Sequence, residues 1–408
     1  MFLERILQEV IRESTASFSV LMLTGPRQAG KTTLLRHMEP TRRFVTLDDL
    51  EQRTLAQDNP ALFLERYPPP VLIDEFQYAP QLLSAIKIAV DEKRTRLLSC
   101  AGAFWLTGSQ NFGMMEGVQE SLAGRVAILK LLGMSLSEAQ QNKGAFASPP
   151  FFERPRNLFE TKKSSRDLFV HLLKGDKPEI WASPKMNVAQ YYSSYIQTYL
   201  ERDVRSQLGV RELGQFERFM RLLAARCGQL LNMASLAPDV GVTIPTIRSW
   251  LTILERSFQI YILQPYYNNL SKRQVKTPKI YFLDTGLVAH LLKWTDPDQT
   301  ISGQMAGALF ENWVVSEVIK SYWNRARDPQ IYFWRTREGE EVDLVQESAG
   351  KVHALEIKLT QKPRRQSFQT LDKLCAGKME RGRNIILSPT KSSYPLDRET
   401  DVISAWSL

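Results

Sequence analysis

A glycine-rich segment near the amino terminus has the residue types and the spacing needed to hold phosphate. It matches the pattern G-x-x-x-x-G-K-[ST] at every fixed position and runs Gly25, Pro26, Arg27, Gln28, Ala29, Gly30, Lys31, Thr32, with Thr33 next. Such a loop points backbone N–H groups at phosphate oxygens, and the helix after it adds its positive N-terminal dipole. Lys31 is expected to reach the β- and γ-phosphates of a nucleotide, and Thr32 to offer its hydroxyl to Mg²⁺. The alternative is a chance glycine turn, but the strand-like SVLMLTG before it and the helical TLLRHM after it favour phosphate binding.

Two adjacent carboxylates follow another apolar run. Residues 70–73 (PVLI) lead into Asp74 and Glu75, which places both at the carboxyl end of a buried strand, on the sheet edge that also carries the phosphate loop. Asp74 is expected to hold the Mg²⁺ shell, and Glu75 to orient and deprotonate the attacking water. The alternative for the pair is the solvated start of a loop.

A polar turn ends a further apolar run, AFWLTGS. Its residues 107–111 (TGSQN) place small polar side chains, Ser109 among them, where they are expected to sense the γ-phosphate or its water. An ordinary polar turn explains any single one of these residues equally well.

A second set of chemistry-bearing residues lies near the carboxyl terminus. Glu311 falls in a helical segment, Asp343 in an alternating run, and Glu356 and Lys358 two residues apart in another such run, which places both on one strand face. The order E…D…E-x-K resembles the PD-(D/E)XK nuclease core. The resemblance implies that Asp343 and Glu356 bind Mg²⁺ or Mn²⁺, that Glu311 completes the shell, and that Lys358 acts in catalysis. The alternatives are a salt-bridged hairpin and a nuclease fold that has lost cleavage.

The length and composition of the chain limit the class of protein that carries these residues. The 408 residues are 43% hydrophobic and 24% charged, which indicates an ordinary globular chain of two or three domains. No apolar run approaches the roughly 18 residues of a membrane span, and MFLERILQEVIRE lacks a secretory core, so we expect a cytoplasmic protein without a membrane partner. Three scattered cysteines and four histidines exclude disulfide and zinc frameworks.

The first third of the chain alternates strand-length apolar runs with helical segments. Runs at 19–25, 43–49, 70–76, 103–109 and 125–133 predict a doubly wound parallel sheet, hence an α/β domain over 1–140. The proline- and serine-rich stretch 141–185 is predicted to be an insertion or linker.

Residues 186–295 predict helices followed by a hairpin. A turn at Gly241, a helix that opens at Thr243 or Pro245, and two β-rich runs around a basic tip form a winged-helix pattern. Thr243, Thr246 and Arg248 would then face a DNA groove, while the tip, with Lys272, Arg273, Lys276 and Lys279, would contact phosphates. The net charge of +9 is concentrated here, since residues 151–300 hold 21 Lys and Arg against 14 Asp and Glu. The alternative is a module that packs against the first domain.

Together these motifs resemble one protein family. The segments GPRQAGKTT, VLIDEFQYAP, WLTGSQN and SLAGRVAIL, with YFLDTGL, GALFENWVVSE, FWRTREGEEVDLV and LEIK later, resemble prokaryotic AAA+ type P-loop ATPases with a C-terminal domain of unknown function. The resemblance implies ATP binding, Mg²⁺-dependent hydrolysis, and an arginine finger, Arg125, acting in a neighbouring subunit of a homo-oligomer. A salt-bridged arginine at the start of a strand is the alternative for Arg125.

The expected protein is thus a DNA-binding ATPase with a nuclease-like α/β domain over 296–408. Two other functions stay open, an ATP-dependent regulatory switch and a protein-interaction module, each with an inactive nuclease-like domain.

Overall fold

The computed structural model describes residues 2–95, 100–108, 122–156, 158–199, 204, 213–266, 276–363 and 380–408. Ser109, Lys272 and Arg273, three of the predicted site residues, lie outside these ranges.

Five short apolar runs form a parallel sheet in the first part of the chain. Its strands are β1 Val20–Thr24, β2 Arg43–Thr46, β3 Val71–Asp74, β4 Phe104–Gly108 and β5 Val126–Lys130, in the spatial order β2-β3-β4-β1-β5. The helices around it are α1 Leu7–Ser17, α2 Lys31–Met38, α3 Leu50–Asp58, α4 Pro60–Arg66 and α5 Leu82–Thr95. The predicted parallel α/β sheet is confirmed.

Burial on both faces explains the continuous apolar runs of this sheet. In β1, Val20 and Met22 pack into one core, and Leu21 and Leu23 pack into another on the opposite face. A strand covered on both faces has no polar side, so its sequence does not alternate. The carboxyl ends of β1 and β3 therefore emerge on one edge of a rigid layer.

Helices and one hairpin make up the middle of the chain. Its helices are α6 Leu136–Ala139, α7 Lys143–Phe146, α8 Ser165–Lys174, α9 Pro178–Ala182, α10 Val188–Tyr199, α11 Leu213–Ala224, α12 Met233–Val240, α13 Ile244–Arg256, α14 Thr285–Leu291 and α15 Pro297–Ser302. The antiparallel hairpin consists of β6 Ile260–Leu263 and β7 Lys279–Phe282. Part of this helical region falls in 141–185, where Leu168, Phe169 and Leu172 of α8 are buried in a core.

The last part of the chain is one long helix and a mixed sheet. The helix is α16 Ala306–Trp323, and the strands are β8 Ile331–Arg335, β9 Glu341–Ser348, β10 Lys351–Ile357, β11 Glu380–Ser388, β12 Tyr394–Pro395 and β13 Thr400–Ser404. The sheet order is β12-β13-β11-β10-β9-β8, with β10, β11 and β13 parallel and the other neighbours antiparallel.

A large hydrophobic core joins the middle and last parts. It contains buried residues from Leu132 to Leu408 and so crosses the predicted domain boundary at 295. The centre of this core is α16, of whose 18 residues 15 are buried, so the helix has apolar neighbours on nearly every side. Among the described residues, no helix combines the length and the apolar character needed to cross a membrane.

Candidate functional site

The glycine-rich loop after β1 has a backbone conformation that residues with side chains could not adopt at two positions. Gly25 has φ 150°, and a Cβ atom placed on it would lie 2.0 Å from the carbonyl oxygen of Leu131. Gly30 has φ 84°, a left-handed conformation, directly before the first residue of α2. The two fixed glycines of the motif are therefore required by geometry, one for close packing and one for a turn into the helix.

Lys31 is folded back onto this loop. Its Nζ donates to the carbonyl oxygens of Gly25 at 3.0 Å and Pro26 at 2.9 Å. Burial lowers the pKa of Lys31 to about 8, because the charged form loses its hydration, although the carboxylate of Glu75 opposes this effect. The ammonium is thus held by two carbonyl groups whose place phosphate oxygens can take.

Asp74, at the end of β3, is the point where three hydroxyl groups meet. Its Oδ1 accepts hydrogen bonds from Thr32 Oγ1, at 2.5 Å, and from Thr107 Oγ1, while its Oδ2 accepts one from Thr46 Oγ1 at 3.4 Å. The structure thus brings together Thr32 and Asp74, the two residues predicted to hold Mg²⁺. Their donors are a hydroxyl and a carboxylate oxygen, which suit a hard cation.

Sequence reasoning missed Thr46, and it did not foresee that Thr107 is a partner of Asp74. Thr107, predicted to lie in a polar turn, belongs to β4, and Thr46 ends β2 in register with Asp74 on the neighbouring strand. Only the order of strands in the sheet makes Thr46 a neighbour, and the sequence does not specify that order.

Glu75 begins the segment beyond β3 in a left-handed conformation, with φ 51°. Its Oε2 accepts a hydrogen bond from Gln77 Nε2, while the side-chain oxygen of Gln77 is buried without a hydrogen-bond partner. Gln77 therefore fixes the direction of the carboxylate that is predicted to activate water.

The middle of the chain closes one side of the phosphate loop. Tyr191 of α10 donates a hydrogen bond of 2.6 Å from its hydroxyl to Oε1 of Gln28, a loop residue with φ 59°. A cavity of about 300 Å³ lies between the loop, the start of α2 at Thr33, and Pro178 and Glu179 of α9. These contacts join residues more than 140 positions apart, and no local pattern in the sequence indicates them.

Arg125 lies at the opposite end of the sheet from the loop. It precedes β5, whose first residue, Val126, pairs with Val20 at the start of β1. Its guanidinium makes a two-pronged ion pair with Asp91 of α5, with Nε to Oδ1 at 2.7 Å and NH2 to Oδ2 at 3.0 Å. Within one chain, Arg125 is thus the salt-bridged arginine of the alternative interpretation, and it cannot reach its own phosphate loop.

Carboxylates also meet at the carboxyl-terminal sheet, in a group that we call the carboxylate cluster. Its members are Glu311 of α16 and Glu341 and Asp343 of β9, which bring one oxygen each to within 4.8 Å of one another. Asp343 Oδ2 also accepts the backbone N–H of Ile357 at 2.7 Å. Burial, with Glu311 and then Glu356 nearby, raises the pKa of Asp343 well above its ordinary value.

Glu356, predicted to bind the metal together with Asp343, pairs with Lys358 Nζ at 2.7 Å. The three carboxylates within 4.8 Å of one another include Glu341 beside the predicted Glu311 and Asp343. Burial raises the pKa of Glu356, although Lys358 opposes the shift. Glu341 is detectable in the sequence, because it stands two residues before Asp343 and so shares its strand face.

Lys279 does not belong to an exposed basic tip, contrary to the prediction from the sequence. It is the first residue of β7, only 2% exposed, and its Nζ lies 2.9 Å from Glu311 Oε1 and forms an ion pair with Glu341. Burial opposes its charge, but the two glutamates outweigh burial and raise the pKa of Lys279. A lysine of the middle region therefore sits inside the carboxylate cluster of the last region.

Three of the predicted DNA-contacting residues, Thr243, Thr246 and Arg248, lie at the front of α13. Thr243 caps this helix by accepting the backbone N–H of Thr246 at 3.3 Å, and the two hydroxyls are 2.9 Å apart. The hydroxyl of Thr246 is therefore engaged in the cap. Arg248 and Lys276 are exposed.

Three family matches cover most of the chain. The family described as "AAA domain" matches residues 17–140, and two described as domains of unknown function match residues 165–298 and 306–408. The first match and the geometry of the loop identify residues 17–140 as an AAA-type P-loop domain.

Solved structures give a distant likeness. One is a "walker-type ATPase" of Pyrococcus abyssi, with 13% identity and a TM-score of 0.41 over 70% of this chain and 94% of that one. Another is a RuvB variant of Thermotoga maritima, with 14% identity and a TM-score of 0.30 over 63% and 86%. At these TM-scores neither structure assigns a function.

Two curated mycobacterial proteins are much more similar. They are "Uncharacterized protein Rv2008c" of Mycobacterium tuberculosis and "Uncharacterized protein Mb2031c" of Mycobacterium bovis, each 30% identical over 390 residues, which span 95% of this chain and 80% of theirs. The chain therefore belongs to the same protein family as these two mycobacterial proteins, with an AAA-type P-loop domain at residues 17–140.

Proposed function

We propose that this chain binds ATP and hydrolyses it with the help of Mg²⁺. The observation that carries the proposal is the junction of the phosphate loop with β3, where Thr32 and Asp74 share a hydrogen bond of 2.5 Å. A hydroxyl and a carboxylate at this position, next to a buried lysine, form the site in which P-loop proteins hold a nucleotide and its metal.

Each residue of the site then has a definite task. Lys31 exchanges the carbonyl oxygens of Gly25 and Pro26 for β- and γ-phosphate oxygens, and the backbone N–H groups of the loop bind the same phosphates. Thr32 and Asp74 would hold Mg²⁺, which when bound neutralises charge on the phosphates. Glu75, directed by Gln77, orients the attacking water and accepts its proton. The cavity between Thr33 and α9 leaves room for the rest of the nucleotide.

Two substitutions test this assignment by separating binding from turnover. Lys31→Ala removes the charge that meets the phosphates and should abolish tight ATP binding. Glu75→Gln keeps the shape of the site but removes the base, so it should leave the dissociation constant for ATP unchanged and lower kcat by about 100-fold or more. The measurements are nucleotide titration and phosphate release.

Matched controls for this test lie on α5. Lys87 and Glu92 are exposed there, so Lys87→Ala and Glu92→Gln make the same chemical changes away from the loop and should alter neither constant. Hydrolysis at the parental rate by Glu75→Gln would show that Glu75 is not the base.

We also propose DNA as a partner and a metal-dependent nuclease as a second activity. The convergence of Asp343, Glu356 and Lys358 at the edges of β9 and β10 favours a nuclease-like site, since Mg²⁺ and Mn²⁺ bind carboxylates and a lysine can stabilise a phosphoryl transition state. Burial opposes the charge of Lys358, but Asp343 and Glu356 raise its pKa. The exposed Arg248 on α13, with Thr243 and Thr246 at the start of that helix, favours a DNA-facing surface of winged-helix type.

One experiment tests both parts of this second proposal. Arg248→Ala should weaken DNA binding and reduce its salt slope by about one, whereas Arg218→Ala, a change on α11, should leave the slope unchanged. Asp343→Asn should keep DNA binding and abolish cleavage in the presence of Mg²⁺ or Mn²⁺. A protein that binds DNA but does not cut it even when metal occupies the carboxylate cluster would instead be the ATP-dependent switch. DNA binding without salt dependence would indicate a protein-interaction module.

Assembly into a homo-oligomer is the last part of the proposal. Because Arg125 lies at the sheet edge away from its own loop, an arginine finger at this position can serve only a neighbouring chain. Asp91 would then hold the guanidinium until the neighbour's nucleotide competes for it.

A further inference from the structure

The strand β7 sends two side chains into the carboxylate cluster. Lys279 Nζ lies 2.9 Å from Glu311 Oε1, and the hydroxyl of Tyr281, two residues later on the same strand face, donates to that oxygen at 2.7 Å. Glu341 is engaged twice, by Lys279 and by Arg335 at 2.8 Å. Oxygens of two of the three carboxylates are thus engaged by other groups of the chain.

We propose that Lys279 is a built-in cation that keeps the carboxylate cluster closed to divalent metal, which makes the hairpin β6–β7 an autoinhibitory element of the C-terminal site. The proposal rests on the nuclease-like function proposed above, since closing a metal site has a purpose only if the site uses metal.

Electrostatics gives the physical reason for closure. A divalent ion among Glu311, Glu341 and Asp343 would lie within a few ångströms of the ammonium group, and like charges repel more strongly at a partly buried site than in bulk water. The ion would also have to displace Lys279 from two carboxylates that already compensate its charge. Metal binding therefore requires the Lys279 ammonium group to leave the cluster.

The position of Lys279 in the chain distinguishes this contact from an ordinary ion pair. Glu311, Glu341 and Asp343 fall within the family match at 306–408, whereas Lys279 falls within the match at 165–298. The lysine is carried by a four-residue strand whose neighbour in the sheet is β6. Withdrawal of the Lys279 side chain would leave the oxygen donors of the cluster in place.

The test is Mn²⁺ binding by the full chain without nucleotide, followed through the free Mn²⁺ signal in electron paramagnetic resonance. Lys279→Met removes the cation and should bind one Mn²⁺ per chain at least tenfold more tightly than the parent does. Lys351→Met is the matched control, because Lys351 forms an exposed ion pair with Glu380 in the same sheet, and it should bind as the parent does. Adding Asp343→Asn to Lys279→Met should remove the gained binding and so assign it to the cluster.

Removal of a buried cation can also prevent folding, so a second variant accompanies the first. Lys279→Gln keeps hydrogen-bond donors near Glu311 and Glu341 without the charge and should show the same gain. If neither variant folds alone, recovery of the native circular dichroism spectrum on refolding with Mn²⁺ supports the proposal, and failure to recover overturns it. Folded variants that bind Mn²⁺ no better than the parent overturn the proposal. It is also overturned if the parent already binds Mn²⁺ through Asp343 as tightly as Lys279→Met does.

A cleavage assay on the same samples separates this proposal from the nuclease proposal. If Lys279→Met binds Mn²⁺ and cuts no DNA, nuclease activity is refuted while closure by Lys279 stands. If Lys279→Met binds no Mn²⁺ and the parent cuts DNA with metal, closure is refuted while the nuclease stands.

Discussion

The phosphate loop affects the pKa of Lys31. Its side chain is buried and donates to two carbonyl oxygens, which carry less negative charge than phosphate oxygens do. Burial therefore lowers its pKa to about 8, in spite of the nearby carboxylate of Glu75. Bound phosphate would favour the charged form and raise this pKa again.

The affinity for ATP should consequently depend on pH. Below pH 8 the free chain already carries the Lys31 ammonium, whereas above pH 8 Lys31 must take up a proton when nucleotide binds. The dissociation constant should then rise by up to about tenfold per pH unit between pH 8 and the pKa of the bound state. A fluorescent ATP analogue with Mg²⁺, titrated from about pH 7 to about pH 9.5, measures this rise. Lys31→Ala, at the higher concentrations it needs, should show none, and a parental constant that stays flat to the highest pH would contradict the proposed contact.

Residues of the site can be predicted from the sequence where they belong to one short motif or directly follow a strand. The phosphate loop and Asp74 follow strands directly, so motif spacing and strand ends place Lys31, Thr32 and Asp74 correctly with respect to one another. The contacts of Tyr191 and Lys279 cannot be predicted in this way, because each residue contacts a partner that is distant in the sequence. A lysine is also normally exposed, and only the glutamates around Lys279 make its burial possible.

Among the elements, the parallel sheet is the most predictable. Its strands are mainly apolar, end in polar or small residues, and alternate with helices, which together specify βαβ units. The order β2-β3-β4-β1-β5 is set by packing between distant elements and not by local sequence. The position of Thr46 beside Asp74 depends on that order.

In two elements of the middle region, local sequence patterns predict the secondary structure correctly, but in one of them they do not predict which side chains are buried. The predicted start of α13 agrees with the structure, because Thr243 caps the helix and Gly241 precedes it in a left-handed conformation. The second strand of the predicted hairpin is present as β7. Lys279, however, does not belong to a basic tip, because its side chain points into the carboxylate cluster. Strand period alone does not indicate what lies against each face.

At the scale of the whole molecule, buried ion pairs connect the regions. Lys320 of α16 lies 3.0 Å from Asp176 and 3.0 Å from Glu317, and Glu317 accepts the backbone N–H of Leu136 at 2.9 Å. Breaking such a pair from one side leaves an uncompensated charge, typically at a cost of about 3–5 kcal/mol. The P-loop domain is thereby anchored to α16, the helix at the centre of the core that joins the middle and last parts of the chain.

Contacts are also continuous between the phosphate loop and the carboxylate cluster. Tyr191 bonds Gln28 of the loop, and the next residue, Tyr192, donates to Asp284 at 2.9 Å. Asp284 follows β7 closely, and Lys279 stands at the other end of that strand. One short strand thus lies between the proposed nucleotide site and the proposed metal site.

The proposed assembly leads to a prediction about mixtures of inactive chains. Arg125→Ala lacks the finger and Lys31→Ala lacks the loop charge, so each should hydrolyse little ATP alone. In an equimolar mixture that assembles at random, about one quarter of the interfaces join an intact loop to an intact Arg125, and activity should recover to about a quarter of the parental rate. Phosphate release measures the recovery. Asp91→Asn removes the ion-pair partner but keeps the guanidinium, so it should stay active and shows whether the pair itself is needed. If the mixture gives only the sum of its two components, Arg125 acts solely as the partner of Asp91, and the finger in trans is refuted.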